Sequence, residues 1–507
     1  MKFLLMSTFW IMALLPKLTH GDSDFLELSI EELQEHLNSG KTSSVELVKW
    51  YQSRIAAYDQ QGPTLNAIQH INERALEQAN QLDIERKTKG PRSPLHGIPI
   101  LIKDNYETVD APTTAGSAIF KGHWPKKDAT QVVRLKKAGA IILAKTTMHE
   151  FAFGWTTRGS AFGVTRNPYN PERHPGGSSG GTGAGVAANF AAAGMGSDTC
   201  GSIRVPSAHN NLVGLRGTQG LSSRHGIIPL SSSRDIGGPL ARSTRDLAVM
   251  LDATVGYDPL DTQTTESFGK IPESYLEALS LVNLKELRVG VLRSWFGDQQ
   301  ENHSTNQKIE NILSSLKDRG ASVVTLTSPA LSTLKSSVEA PSAYFVDNYD
   351  LIKDLDAYLD HYLALKPRVF SDLTNDPRLE PQVAELWKSY LTPYFQNREI
   401  YLEQQETAKT IRQQLLALLN DHQIDALVYP TATEEAVPVG SEQTHFNCKL
   451  AAATGLPAIS VPAGFGRAGL PVAIEFLAEP WAEQKLLNLA YTVEQVTPTR
   501  RLPSHTP

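Results

Sequence analysis

Gly176-Gly177-Ser178-Ser179-Gly180-Gly181 is the most unusual stretch of this sequence, and Thr182-Gly183-Ala184-Gly185 extends it. Glycine at this density indicates backbone conformations that other residues avoid, or a backbone that another group approaches closely. A second small-residue segment, Asp198-Thr199-Cys200-Gly201-Ser202-Ile203-Arg204, places another serine 24 positions after Ser178. These two segments are therefore the first candidates for a functional site.

Three known glycine motifs could account for the first segment. A phosphate-binding P-loop ends in Lys followed by Ser or Thr, and no lysine follows here. Residues 183–188 match the dinucleotide-binding pattern but lack its preceding strand and its acidic residue about 20 positions later. Gly177–Gly181 matches the GxSxG elbow of α/β-hydrolases, which needs a strand directly before it, whereas residues 167–175 predict a loop. An esterase built on this elbow stays open as an alternative.

Outside these segments, short apolar runs alternate with helical patterns. Residues 98–102 predict a buried strand that begins near Pro99 and ends at Lys103. Residues 132–143 predict a helix, a capping glycine and a strand, and residues 287–326 predict strand, helix and strand. Further buried strands are expected at 424–429 and 458–461. We predict an α/β fold: a single large domain with a central mixed, mostly parallel β-sheet covered by helices on both faces.

Several stretches predict helices around this sheet. Ser29 and Ser43 each stand three positions before a glutamate, the pattern of two capped helix starts. A third helix is predicted over 71–87. Residues 333–422 are mostly helical and form either a cap over the site or a peripheral bundle, of which we favour the bundle because such patterns usually report only helix faces.

The composition is that of a globular protein. The chain has 507 residues, 40% hydrophobic and 20% charged, with a formal net charge of −6. Because Lys and Arg are scattered along the chain, no nucleic-acid partner is expected. Cys200 and Cys448 belong to no zinc-type cluster, and we interpret them as free thiols, with a single disulfide as the open alternative. No metal-ligand spacing occurs, so no metal is expected.

The N-terminal residues resemble an export signal. A basic Lys2, an apolar run over 3–15 and small residues at Thr19 and Gly21 predict a cleaved signal peptide over residues 1–21. The alternative is an N-terminal membrane anchor, but the run is shorter than the roughly 20 apolar residues of a spanning helix. We therefore expect a secreted or periplasmic domain over residues 22–507, without stable insertion of the mature chain in a membrane.

Residues 176–204 taken together resemble the amidase signature family, whose members carry Gly-Gly-Ser-Ser-Gly-Gly and then Asp-Thr-Gly-Gly-Ser-Ile-Arg. Residues 97–105 resemble the lysine motif of that family, and residues 455–472 resemble its C-terminal strands. The resemblance covers nearly the whole chain after residue 22. It departs from the family at Cys200 and Ala473, where glycine is usual.

The resemblance implies an amidase that hydrolyses a carboxamide C–N bond through a seryl acyl-enzyme and releases ammonia or an amine. Ser202 is the expected nucleophile, Ser178 the hydroxyl that passes the proton, and Lys103 the neutral base. To be neutral near pH 7, Lys103 needs a pKa far below about 10.4, which burial can cause. Asp104 would oppose this if its carboxylate pointed inward, and we predict that it points away.

The resemblance also assigns supporting positions. The backbone N–H groups of one turn are expected to form the oxyanion hole: Thr199, Cys200, Gly201 and Ser202. Ala152 and Ser178 are expected to contact the substrate. Structural support is expected from Gly177, which precedes Ser178 across a cis peptide, and from an ion pair of Asp198 with Arg204.

The predicted partner is a small-molecule or peptide amide, and the expected assembly is a stand-alone monomer or homodimer without a cofactor. Two other classes of protein are alternatives. The first is the amidotransferase subunit that delivers ammonia to a partner enzyme, which conflicts with an export signal. The second is a binding protein that has lost catalysis, which does not fit the presence of Lys103, Ser178 and Ser202.

Overall fold

The computed structural model describes residues 25–327, 329–340, 345–361 and 369–507, so the predicted signal peptide lies outside the described residues. The strands are β1 Ile68–Ile71, β2 Pro99–Lys103, β3 Ile141–Thr146, β4 Arg158–Gly159, β5 Gly163–Val164, β6 Ala193–Asp198, β7 Val213–Arg216, β8 Ile236–Ala241, β9 Arg288–Val291, β10 Ser322–Thr325, β11 Ala426–Pro430, β12 Ala458–Phe465 and β13 Pro471–Leu477.

The helices are α1 Ile30–Ser39, α2 Ser44–Tyr58, α3 Ala75–Lys89, α4 Thr130–Ala138, α5 Gly180–Ala187, α6 Arg204–His209, α7 Thr244–Thr254, α8 His303–Asp318, α9 Pro329–Glu339, α10 Phe345–His361, α11 Phe370–Leu373, α12 Pro381–Tyr390, α13 Arg398–Asp421, α14 Lys449–Thr454 and α15 Glu483–Val496. No helix in the described ranges is both long and apolar enough to cross a membrane.

One sheet of eleven strands runs through the molecule in the order β1-β3-β2-β6-β8-β7-β12-β13-β11-β9-β10. Parallel pairs lie in two blocks, β3-β2-β6 and β11-β9-β10. The strands between and beside these blocks pair antiparallel. The predicted single α/β domain with a mixed sheet and flanking helices is confirmed.

The sheet brings the two candidate segments to the lysine. All five residues of β2 are buried, and β2 lies between β3 and β6, so Lys103 ends a central strand. β6 ends at Asp198, directly before the turn that carries Ser202. α5 begins at Gly180, two positions after Ser178. Because parallel neighbours end at the same edge of a sheet, these positions meet there.

Local predictions are mostly confirmed. Ser29 and Ser43 each form a reciprocal capping box with the glutamate three positions later. The third helix begins at Ala75 rather than at residue 71, because residues 68–71 pair with β3 as the edge strand β1. That short strand has no apolar alternation that would have distinguished it from a helix start.

Helices α10–α12 cover the site as a cap, whereas α9 and α13 pack against the main core, so the preferred peripheral bundle describes only part of residues 333–422. Leu351 and Leu355 of α10 and Trp387 of α12 share a hydrophobic cluster with Phe120 and Phe151, which belong to the segments around the site. The ring centroids of Phe151 and Trp387 are 5.2 Å apart. Burial of aromatic side chains from both parts therefore holds the cap onto the sheet domain.

Candidate active site

Lys103 is completely buried, and its amine lies among serine oxygens. Nζ lies within hydrogen-bonding distance of three oxygens: Ser178 Oγ at 2.7 Å, Ser197 Oγ at 2.8 Å and the carbonyl oxygen of Ser197 at 3.4 Å. Burial lowers the pKa of Lys103 to about 7, although the nearby carboxylates of Asp235 and Asp198 favour its charged form. In a large share of the molecules the Lys103 amine is therefore uncharged near neutral pH.

Asp104 points away from this amine, as predicted. Its carboxylate Oδ1 lies 3.0 Å from Lys145 Nζ, and both side chains are fully buried. The other oxygen, Oδ2, accepts from the backbone N–H of Thr114 at 3.0 Å. The Asp104 carboxylate is thus paired with another lysine, and it does not raise the pKa of Lys103.

Ser178 and Ser202 lie on segments that meet through the backbone. The Gly177–Ser178 peptide is cis, as the resemblance implied. The backbone N–H of Ser179 donates to the carbonyl of Ser202 at 3.2 Å. Within the described ranges no hydrogen bond joins Ser178 Oγ to Ser202 Oγ; such contacts in unliganded sites often tighten only when substrate binds. The structure thus brings Lys103 and Ser178 into direct contact, with Ser202 on the adjoining turn.

A buried ion network shapes the turn before Ser202. Asp198 Oδ2 accepts from Arg204 Nε at 3.1 Å, which is the predicted pair, and Asp198 Oδ1 lies 3.0 Å from Arg216 Nη1. Arg204 also pairs with Glu475 of β13. Burial alone would raise the pKa of Asp198, but the two guanidinium groups hold it well below its usual value. The turn therefore carries a permanently charged carboxylate at its base.

Arg216 and Glu475 were missed by the sequence analysis. Each is the only charged residue of its strand, β7 and β13. A lone charge in a buried strand needs a partner, and this is the signal that could have identified them. The partner itself could not have been named, since Glu475 lies 271 positions from Arg204.

One member of the predicted oxyanion hole needs correction. The N–H of Gly201 donates to Asp198 Oδ1 at 2.8 Å, so this amide is already occupied. Among the described residues, the N–H groups of Thr199, Cys200 and Ser202 have no protein acceptor. These three amides are the ones available to a negatively charged oxygen.

Cys200 and Cys448 form a disulfide, so the interpretation as free thiols was wrong. The fold places Cys448 at the start of α14, beside the turn. Gly201 has a φ of +87°, and a side chain there would lie 2.7 Å from Cys448 Cβ. Glycine at 201 therefore permits both the backbone conformation and the approach of the disulfide.

A cavity of about 840 Å³ opens onto the turn. Ser202, Thr199 and Cys200 line it, and so does the predicted Ala152. The cap contributes apolar side chains to the same wall, namely Leu386 and Tyr390 of α12. Ser178 is completely buried and is not one of the lining residues, and its predicted contact with the substrate stays a prediction.

Other candidate groups are placed elsewhere. Ser179, the serine of the GxSxG match, is completely buried and its Oγ donates to the carbonyl of Ser197 at 3.2 Å. No strand leads into it among the described residues, so the elbow alternative has no structural support. Burial lowers the pKa of His174 and of His209 to about 4, and neither contacts Ser202.

Residues 46–487 match the family described as Amidase. A glutamyl-tRNA(Gln) amidotransferase subunit of Ralstonia pickettii is 33% identical over 498 residues, which cover 92% of this chain and 97% of the relative. The subunit of the same name from Thermus thermophilus is 34% identical over 487 residues, covering 92% and 96%.

The solved peptide amidase of Stenotrophomonas maltophilia superposes with a TM-score of 0.86 at 33% identity, covering 95% of this chain and 99% of that one. The solved glutamyl-tRNA(Gln) amidotransferase subunit from Thermotoga maritima gives a TM-score of 0.72 at 27% identity, covering 95% and 98%. The family match, the identities and the shared fold agree, and the chain therefore belongs to the amidase family.

Proposed function

We propose that this C–N hydrolase acts on carboxamides through a seryl acyl-enzyme, with Ser202 as nucleophile, Ser178 as proton carrier and Lys103 as base. The observation that carries the proposal is the buried Lys103 amine, 2.7 Å from Ser178 Oγ and with its pKa lowered to about 7. A base is most effective when its pKa lies near the working pH.

Acylation begins with proton transfer. Ser202 Oγ attacks the amide carbon as its proton moves to Ser178 Oγ and the proton of Ser178 moves to Lys103 Nζ. The carbonyl oxygen becomes negatively charged and is stabilised by the amides of Thr199, Cys200 and Ser202. Lys103 then returns its proton through Ser178 to the leaving nitrogen, the C–N bond breaks, and ammonia or an amine departs.

Deacylation repeats the route with water. A water molecule attacks the acyl carbon while its proton passes through Ser178 to Lys103. The bond from the acyl carbon to Ser202 Oγ breaks, and Ser202 recovers a proton from Lys103 through Ser178. The products are a carboxylic acid and free enzyme, so protons and bonds balance over the cycle.

The cavity favours substrates with a bulky apolar part. Its volume of about 840 Å³ is within the range of small-molecule sites, and its walls include Trp155, Leu230, Val383 and Leu386. Burial of such a group stabilises the complex by about 25 cal/mol per Å² of apolar surface. Amides of aromatic or large aliphatic acids, including peptide amides, are therefore the proposed class.

We further propose a stand-alone exported enzyme. The Cys200–Cys448 disulfide supports this, because disulfides persist in oxidising compartments, and the apolar run over residues 3–15 supports export. The competing proposal, an amidotransferase subunit, is favoured by the names of the relatives. Purification separates the two: a stand-alone enzyme elutes as a monomer or homodimer, whereas an amidotransferase subunit co-purifies with a different chain.

The proposed chemistry is tested by release of ammonia or amine across a panel of aryl, fatty and peptide amides. Wild type should be active near neutral pH, and Ser202→Ala and Lys103→Ala should each lose at least a thousandfold in kcat. Lys145→Ala removes a second completely buried lysine of the described ranges but, under this proposal, no acid–base group, so its loss in kcat should be much smaller than that of Lys103→Ala. Near-wild-type turnover by Lys103→Ala at pH 7 would refute the assignment of the base.

A further inference from the structure

We propose that Asn105, acting through Ser197, is a positioning residue that keeps Lys103 uncharged with its lone pair directed at Ser178. The inference rests on the proposed function, since it assigns a role toward the lysine base. Asn105 is 2% exposed and follows the end of β2 by two positions. Its Nδ2 donates at 3.0 Å to Ser197 Oγ, which also accepts from Lys103.

The three contacts of Lys103 can be made by a neutral amine as well as by an ammonium group. An ammonium group has three N–H donors, whereas a neutral amine has two donors and one lone pair. Two of the three oxygens around Nζ belong to Ser197, at 2.8 and 3.4 Å. When the two N–H groups are directed at Ser197, the lone pair faces the third oxygen, Ser178 Oγ at 2.7 Å.

Asn105 determines how strongly Ser197 attracts a positive charge. A serine oxygen has two acceptor positions, and the Asn105 amide occupies one of them. The positive end of this N–H group faces the oxygen that Lys103 also contacts, so the oxygen is a weaker acceptor for an ammonium group. Hydrogen bonds in a buried chain influence one another in this way. The uncharged amine is thereby favoured.

The other ionisable groups near Lys103 are held by their own partners. Asp198 is paired with Arg204 and Arg216. Asp235 accepts from the backbone N–H groups of Leu230 and Ser231 and from Thr199 Oγ1.

Two further groups complete the surroundings. Burial lowers the pKa of His149 to about 3, so its ring is neutral at pH 7. Asp104 pairs with Lys145. Within the described ranges none of these groups hydrogen-bonds to the side chain of Asn105 or Ser197, so a substitution at 105 changes the field at Lys103 without removing their partners.

The decisive variant is Asn105→Asp, which exchanges the amide for a carboxylate of the same shape. A negative charge two hydrogen bonds from Nζ favours the ammonium form. The pH below which kcat/KM declines should therefore rise by at least one unit, and activity above that pH should stay within about threefold of wild type. An equal loss of activity at every pH overturns the proposal, and so does an unchanged pH profile together with an unchanged pKa of Lys103.

Ser197→Ala tests the same contact in the opposite direction. Removal of the Ser197 hydroxyl deprives the ammonium group of an acceptor, so the pH of half-maximal activity should not rise. The lysine also loses its anchor, so kcat should decrease at least tenfold with little change in KM. Wild-type kcat in this variant would overturn the proposal, even if Asn105→Asp fails to fold.

Asn72→Asp is the matched control for burial of a carboxylate. Asn72 is 1% exposed and its Nδ2 donates to the carbonyl of Ile142 at 2.7 Å, away from Lys103. Its pH profile should remain that of wild type. An equal shift in this control would show that any buried aspartate moves the profile, which would overturn the specific role of Asn105.

A measurement without turnover separates this inference from the proposed function. Lysines labelled with carbon-13 at Cε are titrated by NMR, and the Lys103 signal is assigned by its absence in Lys103→Arg. The pKa of Lys103 should be higher in Asn105→Asp than in wild type. A risen pKa with an unmoved activity profile would refute Lys103 as the base and leave the positioning role intact. An unmoved pKa would refute the positioning role, whatever the activity.

Discussion

Cys200 and Cys448 are joined across 248 positions of the chain, and their disulfide ties the turn before Ser202 to the start of α14. The carbonyl of Cys200 also accepts from Trp155 Nε1 at 2.8 Å. The turn is therefore held from two sides, by a covalent bond and by a ring of the cavity wall.

Loss of this disulfide should lower both stability and activity. Cys448→Ser should reduce the free energy of unfolding by about 2–5 kcal/mol, because the disulfide closes a long loop. It should also lower kcat, because the amide of Cys200 is no longer held in place. Denaturant unfolding and kinetics measure the two effects. Reductant should reproduce them in wild type and have no further effect on Cys448→Ser; equal sensitivity of both proteins would contradict this account.

The stability of the protein should depend on pH through Lys103. Its pKa is about 7 in the folded chain and about 10.5 when unfolded. Between these values the unfolded chain holds more protons, so stability increases as pH rises through this window. Relative to Lys103→Met, wild type should gain up to about 4 kcal/mol from pH 7 to 10.5. The comparison of wild type with Lys103→Leu should give the same dependence on pH. If the difference in stability between wild type and these variants is constant with pH, the pKa of Lys103 is not lowered in the folded chain.

The ion network below the turn should be essential for folding. Arg204→Met leaves Asp198 and Glu475 buried without their shared partner, which should cost about 3–5 kcal/mol. Thermal unfolding measures the loss. Arg245→Met breaks the exposed pair with Glu31 and should change stability by at most about 1 kcal/mol. Similar losses in both variants would mean that burial of the network is not the cause.

The cap should determine which acyl groups bind. Leu386 lines the cavity and is 45% exposed, so Leu386→Ala should leave stability nearly unchanged. KM for a bulky apolar amide should rise several-fold, and KM for a small amide such as propionamide should not. Leu402→Ala, a similarly exposed leucine of α13 outside the cavity wall, should leave both values unchanged. A rise in KM for both amides in Leu386→Ala would place the substrate elsewhere.

The contact of Lys103 with Ser178, which lie 75 positions apart, was predicted through the resemblance to the amidase signature family, because both residues lie in short motifs of that family. The local signals, an apolar run that ends at Lys103 and a glycine-rich segment around Ser178, identify the two motifs but not their contact. The pair of Asp198 with Arg204 was also within reach, because only six positions separate the two.

Contacts between distant segments that no family motif links could not be predicted. Ser197 is 92 positions from Asn105, and Cys448 is 248 from Cys200. Spacing carries no information about which strands of the sheet become neighbours. The cap was misjudged for the same reason: the pattern of α12 shows that one face is buried but does not show which surface buries it.

The wall of the cavity is formed by two parts of the molecule, the sheet domain and the cap, which differ in how many substitutions they tolerate. Lys103 ends β2, and the turn that carries Ser202 follows the end of β6. Both strands are paired with a neighbouring strand on each side, so few substitutions are tolerated at these positions. The cap helices lie on this frame without joining the sheet. Adaptation to a new substrate can therefore proceed by exchanging residues of the cap while the chemical machinery is inherited intact.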